Sequence, residues 1–411
     1  MADQSVMTCR YFGICGGCRY MDRSYSETLA VKEKEVKDLF VQILKERVSD
    51  ESFWLPIRQS PRYYGYRNKM EFSFGDACKD GPLCLGMHKK GSFHDIVSVD
   101  GCLICDSDFS SVLRGVLAFF SERNTSYYHR KRHDGYLRHL LMRKALHTGE
   151  ILVDLVTASP ACRDEAAVNM PQDREEEKKL LDAFSLMLQS LPLEGKIRGI
   201  LHTVNDSLSD TIKDEGTEVL FGQDTFKERL LGLEFEISPF SFFQTNSFGA
   251  EVLYETVREF AAVPDKRFRT IYDLYCGTGT IAQIMSGCAD EVYGIEIVGE
   301  AVEAARINAG LNGIGNCTFL EGDVLTTLDA LTEKPDMIIL DPPRDGIHPK
   351  ALPKILAYEV PYIIYVSCKA KSLARDLPAF LWSGYEPVRT VCVDEFPWTA
   401  NTETVMLLRR I

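Results

Sequence analysis

Between Tyr25 and about Lys45, apolar residues return at helical spacing. Leu29, Val36, Leu39, Phe40 and Ile43 are set among Glu and Lys, which predicts one amphipathic helix. From Trp54 to about Pro239 the pattern shortens to alternating stretches divided by Gly, Pro and Asp, such as Met70–Phe74 and Ile151–Val156, and these read as strands. An acidic stretch from Ala161 to Lys179 reads as a loop leading into a helix over Leu180–Leu191. From about Phe248 onward strands and helices alternate. Helix Ala250–Ala261 precedes strand Thr270–Tyr275, a Gly-rich turn and helix Ile281–Ser286. Strand Glu291–Ile295, helix Glu300–Leu311 and strands Cys317–Leu320, Met337–Leu340 and Tyr362–Ser367 follow. That order implies a parallel sheet with helices on both faces. The expected fold class is α/β, with a Rossmann-like domain over residues 239–411 and a β-rich α+β region over 1–238.

Composition narrows the class. The chain has 411 residues, 45% of them hydrophobic and 26% charged, which fits a globular protein of two or three domains and excludes disordered and fibrous architectures. No uninterrupted apolar run approaches the roughly 20 residues of a membrane-spanning helix, and the first residues lack the order of a secretory signal. A cytoplasmic location is expected, with no membrane partner and no obligate protein partner inferred. The net charge is −13, yet residues 56–147 carry 15 Lys+Arg against 9 Asp+Glu and six of the eight histidines. A local basic face can attract phosphates even on an acidic chain. Arg130-Lys131-Arg132-His133 and Arg138…Arg143-Lys144, interleaved with Tyr127, Tyr128 and Tyr136, are the expected RNA-holding run, combining phosphate contacts with stacking.

Four motifs carry chemistry. Ile271-Tyr272-Asp273-Leu274-Tyr275-Cys276-Gly277-Thr278-Gly279-Thr280 is a strand, a Gly-x-Gly turn and a helix start, where glycines let the backbone approach a nucleotide. Glu296 closes the next strand, placed to accept from ribose hydroxyls. Alone, these features fit NAD or S-adenosylmethionine. Leu340-Asp341-Pro342-Pro343-Arg344 then ends a later strand; Asp-Pro-Pro is typical of methyltransferases acting on planar nitrogenous rings, and Arg344 in place of an aromatic points away from exocyclic amines. Cys368 ends the strand after that. Carbon 5 of a pyrimidine is a poor nucleophile until a thiolate adds at carbon 6, and a base must afterwards remove the carbon-5 proton. Glu403 is the candidate base. With a single cysteine near Asp-Pro-Pro, uracil is favoured over cytosine. Finally, Cys9, Cys15 and Cys18 cluster at the N-terminus; Cys102, or failing that Cys105, can complete a four-thiolate site for zinc or an iron–sulfur cluster.

Together these residues resemble the RNA uracil-5-methyltransferase family, specifically the branch with an N-terminal [4Fe–4S] cluster that methylates 23S ribosomal RNA. Tyr66-Arg67-Asn68-Lys69-Met70-Glu71-Phe72, Gly135–Leu140, Ile237–Asn246 with its Phe-Phe-Gln-x-Asn segment, and Ala374-Arg375-Asp376-Leu377 extend the match over nearly the whole chain. The resemblance implies a class I S-adenosylmethionine-dependent domain, with cofactor contacts at Gln244, Tyr275, Thr280, Glu296, Asp323 and Asp341. It also implies Cys368 as nucleophile, Glu403 as base, and Cys9, Cys15, Cys18 and Cys102 as cluster ligands. It implies further that helix 25–45 packs on the methyltransferase domain while the strands from Trp54 build the central one. Many ribosomal members begin with a small RNA-binding barrel, the TRAM domain, whereas here the cysteine motif starts at residue 9, so a member of the branch lacking that barrel is expected. Ser367-Cys368-Lys369-Ala370 and Asn401 also depart from the family's Ser-Cys-Asn-Pro and its histidine two residues before the base. Methylation of the transfer-RNA T-loop, a non-catalytic RNA-binding factor and an NAD-dependent oxidoreductase are the alternatives.

Overall fold

The computed structural model describes residues 7–79, 81–159, 170–209, 211–212, 215–262, 267–331 and 333–411. The chain divides into two compact units, one formed by Met1–Asp22, Tyr64–Glu228 and Ile237–Phe240, the other by Arg23–Tyr63, Arg229–Glu236 and Ser241–Ile411.

The first unit is a seven-stranded sheet. Its order is Ile96–Ser98, Leu83–His88, Lys69–Asp76, Leu137–Lys144, Glu150–Thr157, Lys196–Val204 and Thr217–Gly222. Neighbours are antiparallel except Glu150–Thr157 with Lys196–Val204, which run parallel. Leu137–Lys144 is buried along its whole length, so its polar residues must find partners inside the fold. Two helices, Ser107–Glu122 and Arg174–Gln189, contact each other, with Phe120 packed on Phe74 and Phe184 at centroid distances of 5.8 and 5.5 Å. Helix Ser107–Glu122 lies where the alternation predicted only strands; its apolar face, Phe109, Val112, Leu113, Val116 and Phe120, has helical spacing behind an Asp106 N-cap. The second helix starts earlier than its apolar pattern, because Asp173 caps it and Glu175–Glu177 suit the positive end of its dipole. The rest of the expected acidic loop, residues 161–169, lies outside the described residues.

The second unit holds an eight-stranded sheet ordered Trp54–Arg58, Tyr385–Val393, Glu403–Arg410, Tyr362–Ser367, Met337–Leu340, Phe268–Leu274, Ala289–Glu296 and Cys317–Glu321. All neighbours are parallel except the two ladders of Glu403–Arg410. Trp54–Arg58, expected with the strands of the other unit, instead pairs with Tyr385–Val393. The reason is packing: Trp54 is 1% exposed and sits edge-on to Phe40 at 5.5 Å. Helix Tyr25–Leu44 starts in a Ser24–Glu27 capping box and buries Thr28, Lys32, Val36, Phe40 and Leu44, one residue per turn. Val36, Phe40 and Leu44 share one core with Leu373, Leu377 and Phe380 of helix Ala370–Trp382.

Within that stripe, Lys32 is 1% exposed. Its Nζ donates to Asp394 Oδ1 at 2.5 Å and to the carbonyls of Phe396 and Asn401 at 2.9 Å each. This gives the Asn401 backbone a structural task just before Glu403. Breaking a buried pair leaves one charge uncompensated, so Lys32→Met is expected to lose about 3–5 kcal/mol of stability. The double variant Lys32→Met/Asp394→Leu should recover most of it; denaturant midpoints check both.

Candidate active site

Strand order reverses at Phe268–Leu274, which pairs with Ala289–Glu296 on one side and Met337–Leu340 on the other. In an open parallel sheet the crevice beyond the carboxyl ends at such a point binds ligands. The chain leaves it with Tyr275 at φ 67°, Gly277 at 53° and Gly279 at 71°. Glycine is required at 279, since a Cβ there would lie 2.5 Å from the Phe319 ring and 2.8 Å from Ala305 Cβ, whereas one at Gly277 would meet open space. The Gly277 N–H donates to Glu296 Oε2 at 3.0 Å, and Glu296 Oε1 accepts from Val298 N–H at 3.0 Å. Thr280 opens helix Thr280–Met285. Gly322 N–H donates to the Glu296 carbonyl, and Asp323 caps Val324–Thr327 by accepting from Leu325 N–H at 2.9 Å. The charge of Asp323 in turn acts on Tyr275. Tyr275, Glu296 and Asp323 therefore lie near one another at the carboxyl ends of these strands, with Thr280 at the start of the helix that follows the turn.

Asp341 joins this crevice to a second group. Burial lifts its carboxyl to about 7. Asp273, fully buried on the glycine-loop strand, is held well above the carboxylate range by burial and then by the Asp341 charge. Ser367 and Thr404 are the last pair of their antiparallel ladder, and Cys368 and Glu403 are their immediate neighbours in the chain. Glu403 is 2% exposed; burial, then Asp341, pushes it up to about 8, while Arg344 pulls the other way. Cys368 is pushed up to about 11 by burial first, then by Glu403 and Asp341, again opposed by Arg344. A thiol, a buried carboxyl and a guanidinium thus meet where the sheet opens. Arg344 is a counter-charge acting on both Cys368 and Glu403.

The frame around them is hydrogen-bonded. Gln244, half-buried, lies in the loop before helix Ser247–Ala261. Asn246 caps that helix through Gly249 N–H at 3.1 Å and donates to Ser60 Oγ and the Glu395 carbonyl at 3.1 and 2.6 Å. Asp376 accepts from Tyr365 Oη at 2.9 Å and Ile347 N–H at 3.1 Å, holding the segment after Arg344. The sequence assigned no role to Asp273, Lys32 or Asp376, although the first and last lie within matched motifs. A carboxylate inside the apolar strand run Ile271–Leu274 was the available signal for the first; only the fold reveals the others.

In the first unit, the loop bearing Cys9, Cys15 and Cys18 is tied down by Arg10 and Tyr11, each donating to Asp100 Oδ1 at 2.5 Å. Burial raises the Cys15 thiol, and Cys102 and Cys9 raise it further. A hydrogen bond from Cys105 lowers Cys102 to about 7. The thiols share one neighbourhood, and soft, ionisable sulfur is the right donor chemistry for an iron–sulfur group or zinc. Even so, among the described residues no group of three or more Cys, His, Asp or Glu side chains is set to hold a metal ion.

The expected RNA-holding run is in large part consumed internally. Arg138 donates to the carbonyls of Asn205, Ser207 and Ser209, Arg143 to that of Ser238 at 2.6 Å, and Lys144 to Asp106 and Asp108 at 2.6 and 2.7 Å. Tyr128 and Tyr136 are buried with them. Their strand has no solvent face, which is why spacing suggested exposure wrongly.

Comparison with known proteins gives the family. Residues 212–411 match the family described as tRNA (Uracil-5-)-methyltransferase. An uncharacterized RNA methyltransferase of Clostridium tetani is 45% identical over 98% of this chain and 83% of its own length. One from Caldanaerobacter subterraneus is 45% identical over 98% and 84%. The crystal structure of Pyrococcus abyssi tRNA (uracil-54, C5)-methyltransferase in complex with S-adenosyl-L-homocysteine superposes with a TM-score of 0.74 at 25% identity, covering 96% of this chain and 84% of that one. Among the described residues, no helix is long and apolar enough to cross a membrane. The chain belongs to the RNA uracil-5-methyltransferase family.

Proposed function

We propose that this enzyme transfers the methyl group of S-adenosylmethionine to carbon 5 of a uridine in 23S ribosomal RNA. The observation that supports this chemistry is the closeness of Cys368 and Glu403, which flank the Ser367–Thr404 pair, with Asp341 and Arg344 acting on both. Gln244, Tyr275, Thr280, Glu296, Asp323 and Asp341 would hold the donor: Glu296 would accept from the ribose hydroxyls, and Asp323 and Asp341 would offer carboxylates to its adenine amine and its cationic methionyl end. A sulfonium beside carboxyls that burial has raised lowers their proton affinity, so donor binding readies Glu403 as a base.

Cys368, once its thiol proton has passed to water, adds through sulfur to carbon 6, and the electron pair released at carbon 5 displaces S-adenosylhomocysteine from the methyl carbon. Glu403 then takes the carbon-5 proton, and the pair of that C–H bond restores the 5,6 double bond as sulfur leaves. One methyl cation is gained by the ring and one proton lost. The target base must stand clear of a paired stem for carbon 6 to be reached.

Cys9, Cys15, Cys18 and Cys102 would hold a [4Fe–4S] cluster, whose contribution is structural; no step of methyl transfer passes through it. Anaerobically purified protein is expected to contain roughly four irons per chain. Zinc in their place overturns this assignment. The assignment to ribosomal RNA rests on the cysteine motif. A transfer-RNA T-loop is the second reading, supported by the likeness to the Pyrococcus abyssi enzyme over 96% of this chain. Mapping 5-methyluridine in both RNA pools of a deletion strain separates the two. Loss in neither pool refutes the proposed activity.

A further inference from the structure

We propose that the first unit carries a docking surface for single-stranded or looped RNA, built from the turn 88–95 and the loop 129–134, with Phe93 as its base-stacking platform. It rests on the RNA reading above and deepens it by naming the surface. The two segments are about forty residues apart in the chain, and Arg130 joins them by donating to the Phe93 carbonyl at 2.9 Å and to His88 Nε2 at 3.0 Å. The turn is preformed. Lys89 N–H donates to the Asp95 carbonyl at 2.9 Å, Lys90 N–H to the Ile14 carbonyl at 2.7 Å, and Ser92 Oγ accepts from Asp95 N–H at 3.1 Å.

Phe93 stands 84% exposed at the tip. A ring left in water forgoes roughly 1.5–3 kcal/mol of burial, which a stacked base would recover. Around it the two segments place five lysines and arginines against two aspartates, on a chain of net charge −13. Both aspartates are engaged: Asp95 lies 4.0 Å from Lys89 Nζ, and Asp134 is 7% exposed and paired with Arg132. Lys90 and Lys131 are exposed. Phosphates seek such a local positive field. An acidic peptide would satisfy the cations and leave the ring bare, whereas a nucleotide strand offers a flat base beside each phosphate.

The test measures binding of a labelled, uridine-rich single-stranded RNA to the full chain across a salt series. Phe93→Ala is expected to raise Kd about 5- to 150-fold, and Phe93→Trp to keep it. Lys90→Ala and Lys131→Ala should each reduce the slope of log affinity against log salt by about 0.7. S-adenosylmethionine affinity and melting temperature should stay at the parent values. An unchanged Kd for Phe93→Ala, or loss of poly-glutamate binding without loss of RNA binding, overturns the surface. Covalent capture of 5-fluorouridine RNA by the parent protein separates the two readings. Capture with unchanged Kd values in the variants sinks only the surface. Weakened RNA binding in the variants, with no capture by the parent, supports the surface and sinks uracil chemistry.

Discussion

Cys368→Ala is expected to abolish methyl transfer, with a loss on the order of 10⁴-fold or more, because removing the nucleophile of a covalent mechanism leaves only binding and positioning. The same substitution should remove covalent capture altogether. RNA containing 5-fluorouridine has no carbon-5 proton to surrender, so after methyl transfer the parent enzyme stays bonded to the ring, and a denaturing gel shows a shifted band. Cys368 is half-buried at the end of strand Tyr362–Ser367, and its removal touches none of the residues proposed to hold the donor. Affinity for S-adenosylmethionine should therefore stay near the parent value. A band that persists in the Cys368→Ala variant would place the nucleophile elsewhere.

With Glu403→Gln the block moves one step later. The thiol and donor remain, so the first turnover should still methylate carbon 5. Without the base the adduct cannot eliminate, and product release should slow by about 10²- to 10⁴-fold. Ordinary uridine RNA should then accumulate on the protein in a denaturation-resistant band carrying the transferred methyl. A variant that releases 5-methyluridine at the parent rate would remove Glu403 from the mechanism.

The same substitution has a stability signature. The Glu403 carboxyl is raised in the fold to about 8 from its ordinary 4.5. Between these values the native state binds the extra proton and the unfolded chain does not, so stability falls as pH rises. The contribution is fully present below about 4.5 and gone above about 8. At about 1.36 kcal/mol per pKa unit this amounts to a few kcal/mol. Glu403→Gln carries no such slope. Relative to the parent it should melt higher at pH 9 than at pH 6, measured without donor. The parent's turnover should rise with pH toward 8, since the base must be ionised to act.

Much of the catalytic unit was legible in advance. Strands Met337–Leu340 and Tyr362–Ser367 fall where the apolar runs predicted them, because strands buried on both faces are almost uninterrupted Ile, Leu, Met and Val. Helix Gly299–Leu311 begins one residue from its expected start. The glycine loop was legible because only glycine fits at 279. The first unit was harder to read. Leu137–Lys144 contains two arginines, a lysine and a histidine, and a pattern of charge cannot reveal that these side chains point at carbonyls and aspartates inside the fold.

Taken alone, the amino-acid order determined the strand–helix alternation and the glycine turn and supplied the candidate reacting groups, because those depend on local periodicity and on which atoms a side chain carries. Tertiary structure decided everything that depends on pairing across the chain. It brought Cys368 and Glu403 to the end of one ladder, beside the Ser367–Thr404 pair, and raised both groups by excluding water around them. It placed Trp54–Arg58 in the catalytic sheet. It also gave Lys32 a partner 362 residues away. Burial and register are properties of neighbours in space, and a charge or thiol acquires its chemistry only once those neighbours are in place.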